Sequence, residues 1–319
     1  MIRRTFGLEI ELLAPVGGSR DDLAKAVATT FGGRLRFGWK YHGAGHLPDG
    51  RPDCQLSPAT RVEARGRWVA SFVDDPTIVD DLRPGAGALR MARTDDVRLA
   101  AWLERHGWSS RPALEARLRT TQRTFGGTFD EDGLVDPWGL PLVRWHRQSV
   151  ERARVCEVVL RPLAPKEQRR VVTAVLSRAA SLGFTVPAEA ALHVHADAAP
   201  FRSTEALKHL VLEWSRTRKA WLARLKPNPR CRKLGPYADD VVRVAKEAAP
   251  SLPFETLAAA MVLAGLKREV DLNLLGLVDR FPKQPTVEVR CLPCSLDADA
   301  TMARLELVES LLDALSLPR

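Results

Sequence analysis

The chain is 319 residues long, with 45% hydrophobic and 27% charged residues, ordinary globular values that exclude a disordered, collagen-like or small disulfide-stapled protein. No run reaches the roughly 18 apolar residues that span a bilayer, and Glu9 and Glu11 interrupt the start before an apolar leader core forms, so the expected compartment is the cytoplasm; five scattered cysteines fit a reducing one. Basic residues outnumber acidic ones by 48 to 39, and the excess lies between Phe201 and Gly235, where ten lysines and arginines face only Glu205 and Glu213; such a patch suits an anionic partner, whether nucleotide, polyacidic substrate or nucleic acid.

In chain order, Phe6, Leu8, Ile10 and Leu12 alternate with Gly7, Glu9 and Glu11, which predicts a half-buried strand over Thr5–Leu12. Ser19 or Asp21 caps a helix through Val27. The stretch Gly38–Gly66, rich in Gly, Pro and polar residues, reads mostly as loop, and Trp68–Val73 as a strand. Helices are expected over Asp95–His106 and Arg111–Arg123, a loop over Gly126–Pro141 and a strand over Val155–Leu160. Pro165–Leu182 is an amphipathic helix stopped by Gly183, and Ala191–Ala196 is an alternating strand. Thr204–Leu225 is a long helix with Leu207, Leu210, Val211, Trp214 and Trp221 on its inner stripe. Phe254–Leu266 reads as helix, Thr286–Cys291 as strand and Ala298–Leu315 as a closing helix. The elements lack the regular alternation of a parallel α/β fold. The expected class is therefore α+β: one mainly antiparallel, curved sheet, helices on its apolar face and an open second face.

Strand alternation places every second side chain on one side. In the three best-defined strands the side opposite the apolar residues holds Glu9 and Glu11, His193 and His195, and Glu288 and Arg290. Glu157 sits in the Val-rich strand, and Asp75 follows the strand that begins at Trp68. Any one of these residues reads more readily as a solvated charge. Their recurrence on several strands points to chemistry, because converging carboxylates repel one another unless cations sit between them. A carboxylate-rich set with imidazoles suits Mg²⁺ or Mn²⁺ better than structural zinc. No P-loop, no Gly-x-Gly-x-x-Gly after a strand and no nucleophile–histidine dyad stands out. Cys291 and Cys294 have metal or redox spacing but no second pair, and read as ordinary thiols.

Read in order, Phe6-Gly7-Leu8-Glu9-Ile10-Glu11-Leu12, Asp75-Pro76-Thr77, Glu157 to Leu163, Leu192-His193-Val194-His195, Asn228-Pro229-Arg230, Leu272-Asn273-Leu274 and Thr286-Val287-Glu288-Val289-Arg290 resemble the amidoligase family of carboxylate–amine ligases. The resemblance implies a single catalytic domain over 1–319, with a glutamine-synthetase-like fold, an open metal- and ATP-binding face and a helical insertion at about 80–152. It also implies a metal-ligand set of Glu9, Glu11, Asp75, Glu157, His193 and Glu288. His195, Arg230, Asn273 and Arg290 fall to the nucleotide, and Arg290 and Arg161 to the transferring group. Two departures stand out. Asp75-Pro76-Thr77 replaces the family's Asp-Gly-Ser, which leaves Asp74 as an alternative ligand, and Leu160-Arg161-Pro162 replaces Ser-Pro-Pro. The implied reaction is ATP-dependent amide formation through an acyl phosphate, with Mg²⁺ or Mn²⁺. It joins a small-molecule or peptide carboxylate to an amine, with no membrane partner. Two other readings remain at this point: a metal-dependent hydrolase built on the same Glu/His set, and a non-enzymatic nucleic-acid binder using the basic window. Two tyrosines in the whole chain supply little stacking surface for the latter.

Overall fold

The computed structural model describes residues 2–46, 52–74, 88–105, 128–129, 133–135, 141–148, 154–231, 234–278 and 285–317. Its strands are β1 (Phe6–Ala14), β2 (Arg34–His46), β3 (Pro52–Ala64), β4 (Arg67–Asp74), β5 (Ala88–Thr94), β6 (Thr128–Phe129), β7 (Gly133–Val135), β8 (Pro141–Gln148), β9 (Arg154–Leu163), β10 (Ala191–Asp197), β11 (Leu272–Asn273) and β12 (Thr286–Pro293). The chain forms two compact units: Met1–Glu11 with Leu160–Ser177 and Val186–Arg319, and Leu12–Val159 with Arg178–Thr185. Among the described residues no helix is long and apolar enough to cross a membrane.

In the first unit the strand order is β11-β12-β10-β1-β9, and the β1–β10, β10–β12 and β11–β12 ladders are antiparallel. The predicted alternation of β1 holds in that Phe6, Leu8 and Ile10 are buried. The helices Thr204–Leu225 and Ala298–Leu315 have the predicted bounds. Their stripes, Leu207, Leu210, Val211 and Trp214 on one and Leu305, Val308, Leu311 and Leu312 on the other, are buried, and the two helices pack together. Each starts on a side-chain cap: Ser203 Oγ accepts from Ala206 N–H at 3.1 Å, and Asp297 Oδ1 from Asp299 N–H at 2.8 Å. The unit also holds most of the helix Pro165–Ser181, up to Ser177, and the helices Asp239–Glu247, Phe254–Leu263 and Leu275–Val278. The Asp239–Glu247 helix was not expected. It is short, with Val241 and Ala245 as its only buried residues, too few for a visible stripe.

In the second unit the order is β9-β4-β3-β5-β8-β7-β6, and β2 pairs with β3 along its length. This overturns the reading of Gly38–Gly66 as loop. Trp39, Cys54 and Leu56 are buried with Leu99, Ala100, Leu103 and Val143 in one apolar cluster. The glycines lie within a paired strand rather than in turns. Gly33 is required by close approach, since a Cβ there would stand 2.7 Å from the Glu63 carbonyl oxygen. Part of the expected loop Gly126–Pro141 is strand, in β6 and β7. Within 80–152 the described residues form β5 to β8 and one helix, Val97–Arg105. The expected helix Arg111–Arg123 lies outside the described residues.

Candidate functional site

The site is assembled by strand register within the first unit. Glu9 of β1 stands opposite His193 of β10, His195 opposite both Gly7 and Glu288, and Asn273 of β11 opposite Glu288 of β12. Directly opposed residues share a face, so Glu9 with His193, and His195 with Glu288 and Asn273, form two neighbouring polar rows. Between the pairs Leu192–Leu292 and Val194–Val289 the register shifts. Arg290 and Cys291 therefore oppose the single residue His193, a bulge that re-aims β12 beside the row.

The contacts are close. His193 Nδ1 lies 3.1 Å from Glu9 Oε2 and 3.5 Å from Glu288 Oε1, and its Nε2 lies 3.6 Å from Glu11 Oε1. His195 Nε2 lies 3.6 Å from Glu9 Oε1 and 3.7 Å from Glu288 Oε1. Its Nδ1 meets Thr286 Oγ1 at 3.2 Å, which fixes the ring. Arg290 Nη1 donates to Glu288 Oε1 at 2.5 Å, and Asn273 Nδ2 to Glu288 Oε2 at 2.6 Å. Glu11 Oε2 accepts the Ala191 N–H at 2.7 Å. Glu9, Glu11, His193, Asn273, Glu288 and Arg290 are all buried, and His195 is half-buried.

Burial lowers the proton affinity of the His193 imidazole, and Arg290 adds to the effect against the pull of Glu9 and Glu288. Burial alone would raise the Glu288 carboxyl, but Arg290, with His195 and His193, outweighs it and brings the group to about 2. An ionised carboxylate such as Glu288 is the form that binds metal. Glu9, His195 and Glu288 each offer a ligand atom, all within 4.8 Å of one another. An oxygen-rich donor set with one imidazole fits a hard divalent cation such as Mg²⁺ or Mn²⁺. Arg290 Nε is buried and has no hydrogen-bond partner among the described residues, an unsatisfied donor of the kind a ligand satisfies.

The first unit thus brings together Glu9, Glu11, His193, His195, Asn273, Glu288 and Arg290. Arg161 donates from Nη2 to Glu167 Oε1 at 2.8 Å and from Nη1 to the Pro162 carbonyl at 2.9 Å. Arg230 is exposed on a turn. Asn228 pins that turn through its Nδ2 to the carbonyls of Ala188 and Ala190, at 2.8 and 3.0 Å, just before β10. Glu157 belongs to the second unit, where it is buried with Lys40 Nζ 4.0 Å from its Oε2. Asp75 lies outside the described residues, and Asp74 ends β4. Thr286 was missed as a site residue, although it shares strand parity with Glu288 and Arg290. Much of the basic window is already engaged. Arg216 pairs with Glu213 at 2.6 Å and Arg218 with Asp271 at 2.5 Å. Lys208 donates to the Ala248 carbonyl, and Arg202 and Arg224 lie over the Phe254 and Trp221 rings.

Residues 2–312 match the family model described as "Putative amidoligase enzyme". No curated protein and no solved structure gives a significant match.

Proposed function

The chain belongs to the amidoligase family, and on that premise we propose that it is an ATP-dependent carboxylate–amine ligase working through an acyl phosphate. The observation that carries this reading is the convergence of Glu9, His193, His195, Glu288 and Arg290 from three neighbouring strands. In the proposed reaction an oxygen of the substrate carboxylate attacks the γ-phosphorus and ADP leaves. The amine then attacks the acyl carbon, the bond from that carbon to the phosphate oxygen breaks, and the amine gives up a proton to the departing phosphate, leaving an amide. No protein nucleophile is required, so the chain's task is positioning and charge stabilisation.

Glu9, His195 and Glu288 would hold the divalent ion, with His193 and Glu11 bracing the same carboxylates. When bound, such an ion neutralises phosphate charge and orients the phosphoryl group. Arg290 spends one guanidinium nitrogen on Glu288. Its unpartnered Nε suits an oxygen of the phosphoryl group in transit, and a planar fork does this better than an ammonium. Arg230, on its pinned turn, is assigned to the nucleotide. Asn273 reaches the nucleotide only through Glu288, whose carboxylate it holds. Arg161, Asp75 and Glu157 enter the reading through the family resemblance. The substrates are a small-molecule or peptide carboxylate and an amine, and the proposed compartment is the cytoplasm. Nucleic acid is not proposed as a partner, because so much of the basic window serves internal contacts.

The test is phosphate release from ATP and Mg²⁺ over pairs of carboxylates and amines. A ligase releases phosphate in step with amide only when both substrates are present. Turnover of an amide without nucleotide would replace this reading with a hydrolase that uses the same Glu/His set to activate water.

A further inference from the structure

Asp271 is a buried carboxylate, 2% exposed, that takes no part in the proposed chemistry. Arg218, on the helix Thr204–Leu225, donates from Nε to Asp271 Oδ2 at 2.5 Å. The Asp271 N–H donates to the Gly235 carbonyl at 3.0 Å, and its carbonyl accepts the Arg290 N–H at 2.8 Å. The next carbonyl, of Leu272, accepts the Tyr237 hydroxyl at 2.8 Å. One residue further, Asn273 donates to Glu288, and its Oδ1 accepts the Leu275 N–H at 2.9 Å. β11 is only two residues long and cannot set its own register. Its place beside β12 is set by the contacts that flank it. The strongest of these is an ion pair joining residues 53 positions apart. Burial opposes the Asp271 charge and Arg218 counters it. A carboxylate buried at such a cost beside a half-buried arginine is best explained by the geometry it specifies.

We propose that Arg218 and Asp271 are positioning residues for Glu288. The pair anchors β11, β11 aims the Asn273 carboxamide, and the carboxamide orients the Glu288 carboxylate for the ion. The effect on metal binding rests on the reading of Glu288 as a ligand, and the experiment separates the two claims.

The probe is Mn²⁺ alone, titrated into the full chain and followed by the paramagnetic resonance of the free ion. Arg218→Met, which keeps the apolar stem, and Asn273→Ala should each weaken Mn²⁺ binding about 10-fold, the scale of a lost outer-shell contact. Because Arg218 acts through Asn273, the double variant should lose no more than the weaker-binding single variant. Arg218→Lys should restore part of the loss. Wild-type affinity in folded Arg218→Met, or additive losses in the double variant, would overturn the proposal. Should Arg218→Met fail to fold, Asp271→Asn carries the same comparison. Should the wild-type chain bind no Mn²⁺, the metal reading fails by itself. Positioning is then judged on the Asn273 carboxamide resonances, identified by their loss in Asn273→Ala. Their movement toward free-carboxamide values in Arg218→Met or Asp271→Asn upholds the proposal, and unmoved resonances refute it.

Discussion

Glu9 and His193 are cross-strand partners, and the imidazole Nδ1 of one meets the carboxylate Oε2 of the other at 3.1 Å. The apolar side of β1 sets this meeting: Phe6, Leu8 and Ile10 are buried, and a slip of one residue would turn all of them out of the core. The register of the apolar face and the register of the polar site are therefore the same constraint.

Glu9→Gln should weaken Mn²⁺ binding about 10- to 100-fold. Without metal it removes one of several crowded carboxylates, so repulsion falls. Thermal unfolding in chelator should stay at or above the wild-type midpoint, while the Mn²⁺ titration shows the loss.

Glu288→Gln should behave differently. It removes the partner of Arg290, whose side chain is 9% exposed, and a buried charge left without its partner costs about 3–5 kcal/mol. Urea unfolding in chelator should show this loss for Glu288→Gln and not for Glu9→Gln. Equal stability of the two variants would mean that Arg290 has another counter-charge.

Alkali should destabilise the chain through Cys291. Burial, aided by Asp271, raises that thiol from 9.0 to about 12. Above pH 9 the unfolded chain releases a proton that the native state retains, so stability falls as pH rises toward 12. One thiol contributes a slope of at most about 1.4 kcal/mol per pH unit. Urea midpoints from pH 8 to 10.5 should fall more steeply for wild type than for Cys291→Ala.

In the second unit, Gly33→Ala should lower stability by about 2 kcal/mol. The new methyl would collide with the main-chain oxygen of Glu63 at 2.7 Å, and backbone cannot swing aside as a side chain can. Calorimetric unfolding of the purified variant measures the cost.

The parity of β1, β10 and β12 was legible because one side of each strand is uniformly apolar. From that alone Glu9, His193, His195, Glu288 and Arg290 could be placed on one side, and they do meet. Their exact partners were not legible. The bulge between Leu192 and Val194 leaves no local signature, yet it decides what lies beside His193. β2 and β3 were hidden because Gly38, Gly43 and Gly45 imitate turn chemistry, while the alternation of Trp39 and Tyr41 is too brief to outweigh it. Asn273 was reached only by resemblance, since a two-residue strand carries no periodicity. Asp271 and Arg218 are tied by a contact 53 positions long, which no local pattern announces.

Arg290 lies two positions from Glu288 and neutralises part of the carboxylate crowd from inside the same strand. A chain that brings its own counter-charge can complete its fold before any ion arrives, unlike small metal-dependent domains that collapse only on loading. On the proposed metal reading, ion choice would then follow biosynthesis instead of directing it. Protein stripped with a chelator should remain native and accept Mg²⁺ or Mn²⁺ afterwards, according to which is supplied.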